Sequence, residues 1–276
     1  MKEFKSFYKE NTDRKANVWC RWTTRIDTYG CGCEHDCSYC YAKALLNFRG
    51  LWNPAAPSVA NADKIARKIA KLEPGSLVRL GGMTDCFQPI ERQYGVTHKV
   101  IQMLNERGIH YLIVTKSDMV AEYMDIMDKR LAHIQITITT TDDALAATYE
   151  HACPPSKRIA AIERLNDNGF DVSVRLSPFV PEAVDIEAIN AIRCDKILIE
   201  FLKVNSWIKK WFHIDYSPYT LKYGGYEHLP LERKIELVNR ITGFREVSVG
   251  EYVKEHYEYF RAHVNHNPDD CCNIRL

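Results

Sequence analysis

The stretch "GCGCEHDCSYCYAK", residues 30–43, places four of the chain's ten cysteines within ten positions. Cysteine thiolates are the usual protein ligands of iron–sulfur clusters. Cys33, Cys37 and Cys40 have the spacing C-x3-C-x2-C. Three thiolates on one short loop could hold three irons of a four-iron cubane, and the fourth iron would then lack a protein ligand. The spacing therefore favours an iron–sulfur site with one open metal position.

Two other interpretations of the same cysteines stay open at this point. A structural zinc site needs four ligands, and Cys31 or His35 could complete one. The cysteines could also be loop residues that hold no metal. Tyr39, directly before the last cysteine, could shield a cluster and pack against a cofactor, or it could simply pack within the loop.

The composition of the whole chain is that of an ordinary globular protein. The 276 residues are 46% hydrophobic and carry a net charge of +1, so a nucleic-acid partner would need a local basic patch. No apolar run reaches the ~18 residues of a membrane span, and the charged start lacks the apolar core of a secretory signal. We expect a cytoplasmic protein with no membrane partner, where reduced cysteines bind metal more readily than they form disulfides.

Strand-like and helix-like segments alternate along most of the chain. Predicted strands lie within residues 19–30, 74–82, 109–117, 133–141, 170–178 and 195–203. Predicted helices lie within residues 58–72, 96–108, 118–131, 154–169 and 185–194. This alternation predicts an α/β fold, a parallel sheet forming an open, partial (β/α)6 barrel of the TIM type. Functional groups in such folds lie at the carboxyl ends of the strands.

Three parts of the chain are predicted. Residues 1–19 form an N-terminal extension, residues 20–205 the barrel core, and residues 206–276 an aromatic and basic loop followed by a C-terminal helical cap. The cap is predicted from two amphipathic segments, residues 230–243 and 251–264.

The segment "CEHDCSYC", with the pattern C-x3-C-x-Y-C, resembles the signature of the radical SAM superfamily. The "YAK" that follows, residues 84–104, "IVTKSD" (113–118) and residues 138–181 resemble its spore photoproduct lyase-like branch, often labelled DNA repair photolyase. The resemblance spans roughly residues 20–205. It implies an enzyme with a 4Fe–4S cluster and S-adenosylmethionine (SAM), which cleaves SAM reductively to a 5′-deoxyadenosyl radical. It also implies an electron donor such as flavodoxin or ferredoxin.

The resemblance further implies which residues bind the cofactor. These are Tyr39, Gly81, Gly82, Thr84, Asp85, Lys116, Thr137, Thr139 and Arg175. Some of them have a simpler explanation from the residues alone. Asp85 could cap a loop, the two threonines of the fourth strand could pack on one sheet face, and Arg175 could pair with Glu200 instead of a cofactor carboxylate.

The hydrogen-atom donor is the point where the chain departs from the family pattern. Spore photoproduct lyase has a donor cysteine where this chain reads "GGMTD", so photoproduct repair itself is in doubt. Cys86, Cys271 and Cys272 are candidate donors. The last two could instead ligate a second metal with His263 or His266, or cap the barrel mouth.

Residues 205–230 interrupt the alternation with closely spaced aromatic and basic side chains. Aromatic rings stack on unpaired bases while lysines hold phosphates. The candidate substrate-binding residues are Trp207, Lys209, Lys210, Trp211 and Tyr216. A loop packed on the barrel rim is the simpler alternative.

Three functions follow from these patterns. The first is a radical SAM enzyme acting on a nucleic-acid base, with DNA as the partner, by thymine-lesion repair or base modification. The second is a radical SAM enzyme acting on a peptide or small metabolite. The third is a zinc-stabilised binding module without enzymatic activity. The oligomeric state is not assigned by the sequence.

Overall fold

An eight-stranded sheet organises the computed structural model, which describes residues 4–9 and 20–276. The strands in chain order are β1 (Phe7–Lys9), β2 (Thr24–Ile26), β3 (Tyr29–Gly30), β4 (Ser58–Val59), β5 (Leu77–Leu80), β6 (His110–Thr115), β7 (Ala132–Ile138), β8 (Asp171–Phe179), β9 (Lys196–Phe201), β10 (Leu221–Tyr223), β11 (Tyr226–His228) and β12 (Glu246–Val249). The order across the main sheet is β1-β2-β5-β6-β7-β8-β9-β12. All neighbours from β2 to β12 pair in parallel, and β1 pairs antiparallel with β2 at one edge.

Helices connect the parallel strands and cover one face of the sheet. They are α1 (Tyr41–Phe48), α2 (Ala62–Ile69), α3 (Glu91–Tyr94), α4 (Val96–Glu106), α5 (Asp143–Ala147), α6 (Pro155–Asp167), α7 (Ile186–Asn190), α8 (Ser206–Trp211), α9 (Leu231–Asn239) and α10 (Lys254–His263). Among the described residues, none of these helices has the length and apolarity needed to cross a bilayer. The parallel sheet and the helices between its strands confirm the predicted α/β partial barrel.

The two faces of the sheet bury different sets of side chains. Strand residues alternate between faces, so Val78 and Ile113 join the large core under the helices, whereas Leu77 and Leu112 point the opposite way. These two leucines form a separate apolar cluster with Trp22, Tyr257, Cys271, Cys272 and Ile274. The C-terminal segment therefore fills the inner side of the open barrel.

Local signals explain most of the helix boundaries. Asn61 accepts a hydrogen bond from Lys64 N and caps α2. Proline occupies the first turn of α6, and Gly169 follows its end with φ +74°. The prediction of an α-helix over residues 118–131 is wrong. The chain forms only a 3-10 turn over Asp118–Tyr123, which Ser117 rather than Asp118 caps.

The C-terminal third contains more than the predicted loop and helices. The predicted cap helices are present as α9 and α10, but β12 between them adds a seventh parallel strand to the barrel sheet. Residues 205–230 contain α8 and the hairpin of β10 and β11, which turns at Gly224 and Gly225. In the predicted N-terminal extension, β1 lies on the sheet edge, while residues 1–3 and 10–19 lie outside the described residues.

Candidate active site

A cavity of about 730 Å³, partly open to solvent, lies at the carboxyl ends of the parallel strands. The cysteine loop forms one wall of the cavity. The opposite wall consists of residues at or just after five strand ends: Gly81, Gly82, Met83, Thr84 and Asp85 after β5, Thr115 and Lys116 at β6, Thr137 on β7, Arg175 and Ser177 on β8, and Glu200 on β9.

Cys33, Cys37 and Cys40 all line this cavity. Two tight turns shape their loop, because Asp36 N donates to Cys33 O at 3.0 Å and Cys40 N donates to Cys37 O at 3.2 Å. Cys40 is also the N-cap residue of α1, where the helix dipole favours a thiolate.

The spacing of these three sulfurs distinguishes between a single ion and a cluster. Thiolates on one tetrahedral zinc ion, with bonds of about 2.3 Å, lie roughly 3.8 Å apart. Within the described residues, only a different cysteine group has all its ligand atoms within 4.8 Å of one another. At least one pair of sulfurs among Cys33, Cys37 and Cys40 is thus more than 4.8 Å apart, which is compatible with ligands of separate irons.

The loop can adopt this shape only with a glycine at position 32. Gly32 has φ +156°, and a Cβ there would lie 2.0 Å from the carbonyl oxygen of Asn53. Trp52 Nε1 and Lys43 Nζ both contact Asp36 Oδ1, each at 3.0 Å, and fix the outer turn of the loop.

Hydrogen bonds hold the cysteine loop to the segment after β5. Glu34 N donates to Gln88 Oε1 at 2.9 Å, and Glu34 Oε2 accepts from Ile90 N at 2.6 Å. His35 Nε2 lies 3.2 Å from Asp85 Oδ2. The "TDCFQPIE" block therefore positions the cysteines.

Asp85 joins this segment to the end of β6. Its Oδ1 accepts hydrogen bonds from Phe87 N and Thr115 Oγ1, and its Oδ2 accepts from Lys116 N at 2.6 Å. Burial opposes its ionisation, but His35 and the two backbone N–H groups hold the pKa of this carboxyl below its usual range. The carboxylate thus caps the local turn, as the simpler alternative predicts, while it also lines the cavity.

A buried ion pair lies behind the cysteine loop. Glu150 and Arg158 have no exposed side-chain surface, and Arg158 Nη2 donates to Glu150 Oε1 while Nη1 donates to Thr137 O. Burial opposes the charge of Glu150, but Arg158 and then Lys116 hold its pKa below the ordinary value. The Tyr39 hydroxyl donates to Glu150 Oε2, and Cys37 Sγ lies 4.0 Å from the same carboxylate oxygen. Sequence analysis missed both residues of this pair.

Tyr39 belongs to an aromatic cluster under the loop. Its ring centroid lies 5.7 Å from those of Tyr149 and Phe212, in edge-to-face geometry. Lys116 Nζ lies 5.4 Å from the Tyr39 ring centroid. Tyr39 therefore supports the loop and Lys116 from behind, and it is not among the residues that line the cavity.

Ionisation of the three loop thiols is opposed by their surroundings. Burial raises the pKa of each of them, and that of Cys37 to about 12, with Lys116 opposing the shift at Cys37 and Cys40. Metal binding replaces thiol protons with metal charge, so a cluster would offset this cost of burial.

Arg175 and Glu200 form an ion pair at the floor of the cavity. Arg175 Nη2 donates to Glu200 Oε2, which also accepts from Ser177 Oγ at 2.8 Å. Burial opposes the charge of the arginine, but Glu200 and then Cys272 raise its pKa above the ordinary value. The pairing with Glu200 that the sequence left open is therefore observed, and Arg175 also lines the cavity.

A family model of the radical SAM superfamily matches residues 28–193. This segment contains the cysteine loop and the strand ends of β5 to β8 that line the cavity. The chain belongs to the radical SAM superfamily. The cofactors of this superfamily are a 4Fe–4S cluster and SAM, so the third hypothesis, a zinc-stabilised module without activity, is not retained.

Two curated relatives match the same region. An uncharacterized protein of Methanocaldococcus jannaschii is 29% identical over 164 residues, which cover 57% of this chain and 61% of that protein. An uncharacterized protein of Acidianus two-tailed virus is 25% identical over 167 residues, 55% of each chain. The matches thus span less than two thirds of these relatives.

Solved structures share the fold at low sequence identity. A cysteine-to-serine mutant of spore photoproduct lyase aligns with a TM-score of 0.63 at 15% identity, over 87% of this chain and 76% of that one. Spore photoproduct lyase with bound AdoMet and dinucleoside spore photoproduct gives 0.60 at 15% identity, over 80% and 72%. Methylornithine synthase gives 0.52 at 14% identity, over 81% and 63%. These structural likenesses show that this chain has the same fold, and they concern the fold alone.

The cavity suits both cofactors. The buried thiols of Cys33 and Cys37 and the half-buried thiol of Cys40 line the same cavity as the polar groups on the opposite wall. Among the described residues, Nδ1 of the buried, cavity-lining His35 has no hydrogen-bond partner, so a bound group could satisfy it. Cys33, Cys37 and Cys40 would hold the cluster, and the strand-end residues would hold SAM.

The structure brings together most of the predicted cofactor residues. Those that line the cavity are Gly81, Gly82, Thr84, Asp85, Lys116, Thr137 and Arg175. Thr139 does not line the cavity. Its hydroxyl lies 3.1 Å from that of Tyr149 and 3.4 Å from Glu150 Oε1, behind the cavity wall. The role of each residue toward SAM stays a prediction.

The candidate hydrogen donors do not line this cavity. Cys86 is buried in the main core, and Cys271 and Cys272 lie in the inner apolar cluster below the cavity floor. His263 stacks on Tyr259, and His266 Nε2 lies 3.8 Å from Glu246, so neither joins the cysteine pair as predicted for a second metal. The donor role of these cysteines stays a prediction.

Proposed function

We propose that this radical SAM enzyme acts on a nucleic-acid base, either repairing a thymine lesion or modifying the base. The observation that carries this proposal is an aromatic and basic surface that continues from the cavity wall onto α8. When bound, the cluster and SAM supply the electron and the carbon radical that abstracts hydrogen from the substrate. The residues of the chain bind and orient the substrate and exclude water.

Aromatic side chains form the cysteine-loop side of the cavity mouth. Tyr41 lines the cavity with half of its surface exposed, and its hydroxyl donates to Gly82 O at 2.5 Å. Trp52 lines the same wall. Stacking of one base on such a ring is worth about 1–3 kcal/mol and does not depend strongly on sequence.

Lys43 connects this wall to α8. Its Nζ lies 3.0 Å from the cavity-lining Asp36 and 5.2 Å from the ring centroid of Trp211. The C-terminal end of the predicted substrate helix therefore lies one lysine side chain away from the cavity wall. It borders the cavity mouth and does not enter the cavity.

The outer face of α8 has the features of a strand-binding surface. Lys209 and Lys210 are exposed, and the Trp207 and Trp211 rings lie side by side with centroids 5.3 Å apart. Lys209 pairs with Glu227 at 2.7 Å, but such a surface ion pair is worth at most about 1 kcal/mol. Phosphate could replace the carboxylate at little cost.

The substrate base must leave its stack to reach this cavity. The cavity is far too small to admit a duplex. Enzymes that react on a base therefore flip it out or take single-stranded substrate. Spore photoproduct lyase, which shares this fold, has been solved with a dinucleoside lesion, and this supports the same substrate class here.

Reductive cleavage of SAM consumes one electron, which a donor outside the chain must supply to the cluster. We propose a flavodoxin or a ferredoxin as the donor. Dependence of SAM cleavage on either reduced protein would test this part of the proposal.

Replacing Lys209 and Lys210 with alanine is expected to weaken binding of a single-stranded oligonucleotide by ~10-fold at low salt. Loss of two phosphate contacts should also lower the slope of log K against log salt by roughly 1.4. Trp211→Ala should cost about 1–3 kcal/mol of binding free energy if a base stacks there. Fluorescence anisotropy over a salt series measures both effects.

The matched control is the double variant Lys99→Ala with Lys157→Ala, which removes two exposed lysines on outer helices. It should bind like the wild type. The nucleic-acid proposal would be contradicted if the two double variants bound the oligonucleotide with equal affinity. It would also be contradicted if the wild type did not bind the oligonucleotide at low salt. Stimulation of SAM cleavage by peptides or metabolites, but not by intact or lesion-bearing oligonucleotides, would favour the second hypothesis.

A further inference from the structure

A second group of cysteines lies inside the barrel, apart from the cysteine loop. The sulfurs of Cys20, Cys271 and Cys272 are all within 4.8 Å of one another. Cys20 Sγ lies 3.8 Å from that of Cys271 and 3.9 Å from that of Cys272, although 251 residues separate the first pair in sequence. The fold therefore brings three thiols to one point from opposite ends of the described chain.

These distances match the ligand shell of a single ion. Zinc–thiolate bonds of about 2.3 Å in a tetrahedron place the sulfurs roughly 3.8 Å apart. A disulfide would require two sulfurs at about 2.05 Å, with the third left over. We propose that Cys20, Cys271 and Cys272 bind one zinc ion, at a site distinct from the catalytic cluster.

A zinc ion would neutralise most of the thiolate charge at this site. Binding would release three thiol protons and leave one zinc ion with three thiolates, a net charge of −1. Hydrogen bonds connect this site to the cavity floor, because Arg175 Nη1 donates to Gln135 Oε1 and Gln135 Nε2 donates to Cys272 O at 3.3 Å. The second of these bonds helps to hold the backbone that carries the Cys272 thiol.

The surroundings of the sulfurs are otherwise apolar and fixed. Cys271 and Cys272 are buried against Trp22, Leu77, Leu112, Tyr257 and Ile274. Asp270 holds the turn that carries both cysteines, since its carboxylate accepts from Cys272 N at 3.1 Å and from Ile274 N at 3.0 Å. The thiols are thus held in place before any ion binds.

Three protein ligands leave the fourth position to a small ligand. Within the described residues, no further histidine, cysteine or carboxylate atom joins the 4.8 Å group. A water molecule would complete the tetrahedron.

The position of the site would let the ion link two distant segments of the chain. Val114 packs against the inner apolar cluster and also lines the catalytic cavity, so the two sites share this layer of side chains. The ion would tie the segment before β2 to the C-terminal segment and close the open barrel beneath Arg175. It would thereby hold the cavity floor in place.

Metal analysis of the anaerobically purified full chain tests the proposal. The wild type is expected to contain about one zinc per chain beside about four irons. The variant C20S/C271S/C272S should lose at least ~10-fold in zinc content while its iron content persists, and C33A/C37A/C40A should show the reverse. The control C153S/C194S should retain both metals. Zinc absent from the wild type after zinc supplementation, or retained in C20S/C271S/C272S, would overturn the proposal.

A measurement on the unmodified protein covers the case in which the triple serine variant does not fold. Alkylation followed by mass spectrometry should label Cys20, Cys271 and Cys272 at least ~10-fold faster after a zinc chelator is added, because bound thiolates are shielded. Cys153 should be labelled at the same rate throughout. Equal rates with and without chelator, or a disulfide among the three cysteines, would overturn the proposal. The variant C33A/C37A/C40A lacks the catalytic cluster and should therefore be inactive. Zinc in this variant tests the second site separately from the proposed function.

Discussion

Cys37→Ala is expected to lose its iron–sulfur absorption and to form 5′-deoxyadenosine from SAM at a rate reduced by far more than ~100-fold. That figure is the upper range for losing an outer-shell partner of a metal site, and Cys37 is a direct ligand in this account. Anaerobic reconstitution, iron and sulfide analysis, and chromatography of the SAM products measure the effect.

Cys31→Ala is the matched control for this variant. Cys31 lies in the same loop but is not among the cavity-lining residues. Its removal should leave iron content and SAM cleavage close to those of the wild type. If Cys31→Ala lost as much iron as Cys37→Ala, Cys31 would be a fourth ligand, and the open metal position would not exist.

Arg158→Met is expected to destabilise the protein by about 3–5 kcal/mol, because it leaves the fully buried Glu150 charged without its partner. The double variant Glu150→Gln with Arg158→Met should be less destabilised, since neither residue then carries a charge. The free energy of unfolding in urea, measured on the reconstituted protein without oxygen, would show the difference.

An exposed ion pair provides the control for Arg158→Met. Arg193 pairs with Glu163 at 3.0 Å with two thirds of its side chain exposed, so Arg193→Met should cost at most about 1 kcal/mol. Equal losses in Arg158→Met and in the double variant would contradict the account of the buried pair. Because Glu150 also contacts Tyr39 and Cys37, the single variant should bind the cluster more weakly as well.

The main features of the site could be predicted because they follow from local rules. The spacing of Cys33, Cys37 and Cys40 is visible in ten residues. The rule that parallel strands end at one edge correctly placed Gly81, Lys116 and Arg175 around one cavity, although they come from three different strands.

The Glu150–Arg158 pair could not be predicted in the same way, because its meaning lies in tertiary packing. One signal was present, however. Arg158 shares a helix face with the buried Ala161, Ile162 and Leu165, so a charge occupies a core position of α6. A charged residue at such a position usually requires a buried partner.

The segments that were wrong or missing are short. The helix predicted at residues 118–131 is only a 3-10 turn, since apolar residues at helical spacing do not alone determine the length of a helix. β12 has four residues and lies between two amphipathic helices, which obscured it. Cys20 and Cys271 come into contact only when the whole chain folds, so no local sequence pattern could predict the contact.

Electron paramagnetic resonance of the reduced protein, with and without SAM, tests the central claim most directly. An iron of the cluster without a protein ligand should bind SAM, so the signal of the reduced cluster should shift when SAM is added. The shift should disappear in Cys37→Ala together with the signal. A cluster signal that SAM leaves unchanged, or reduced protein with no iron–sulfur signal at all, would contradict the account.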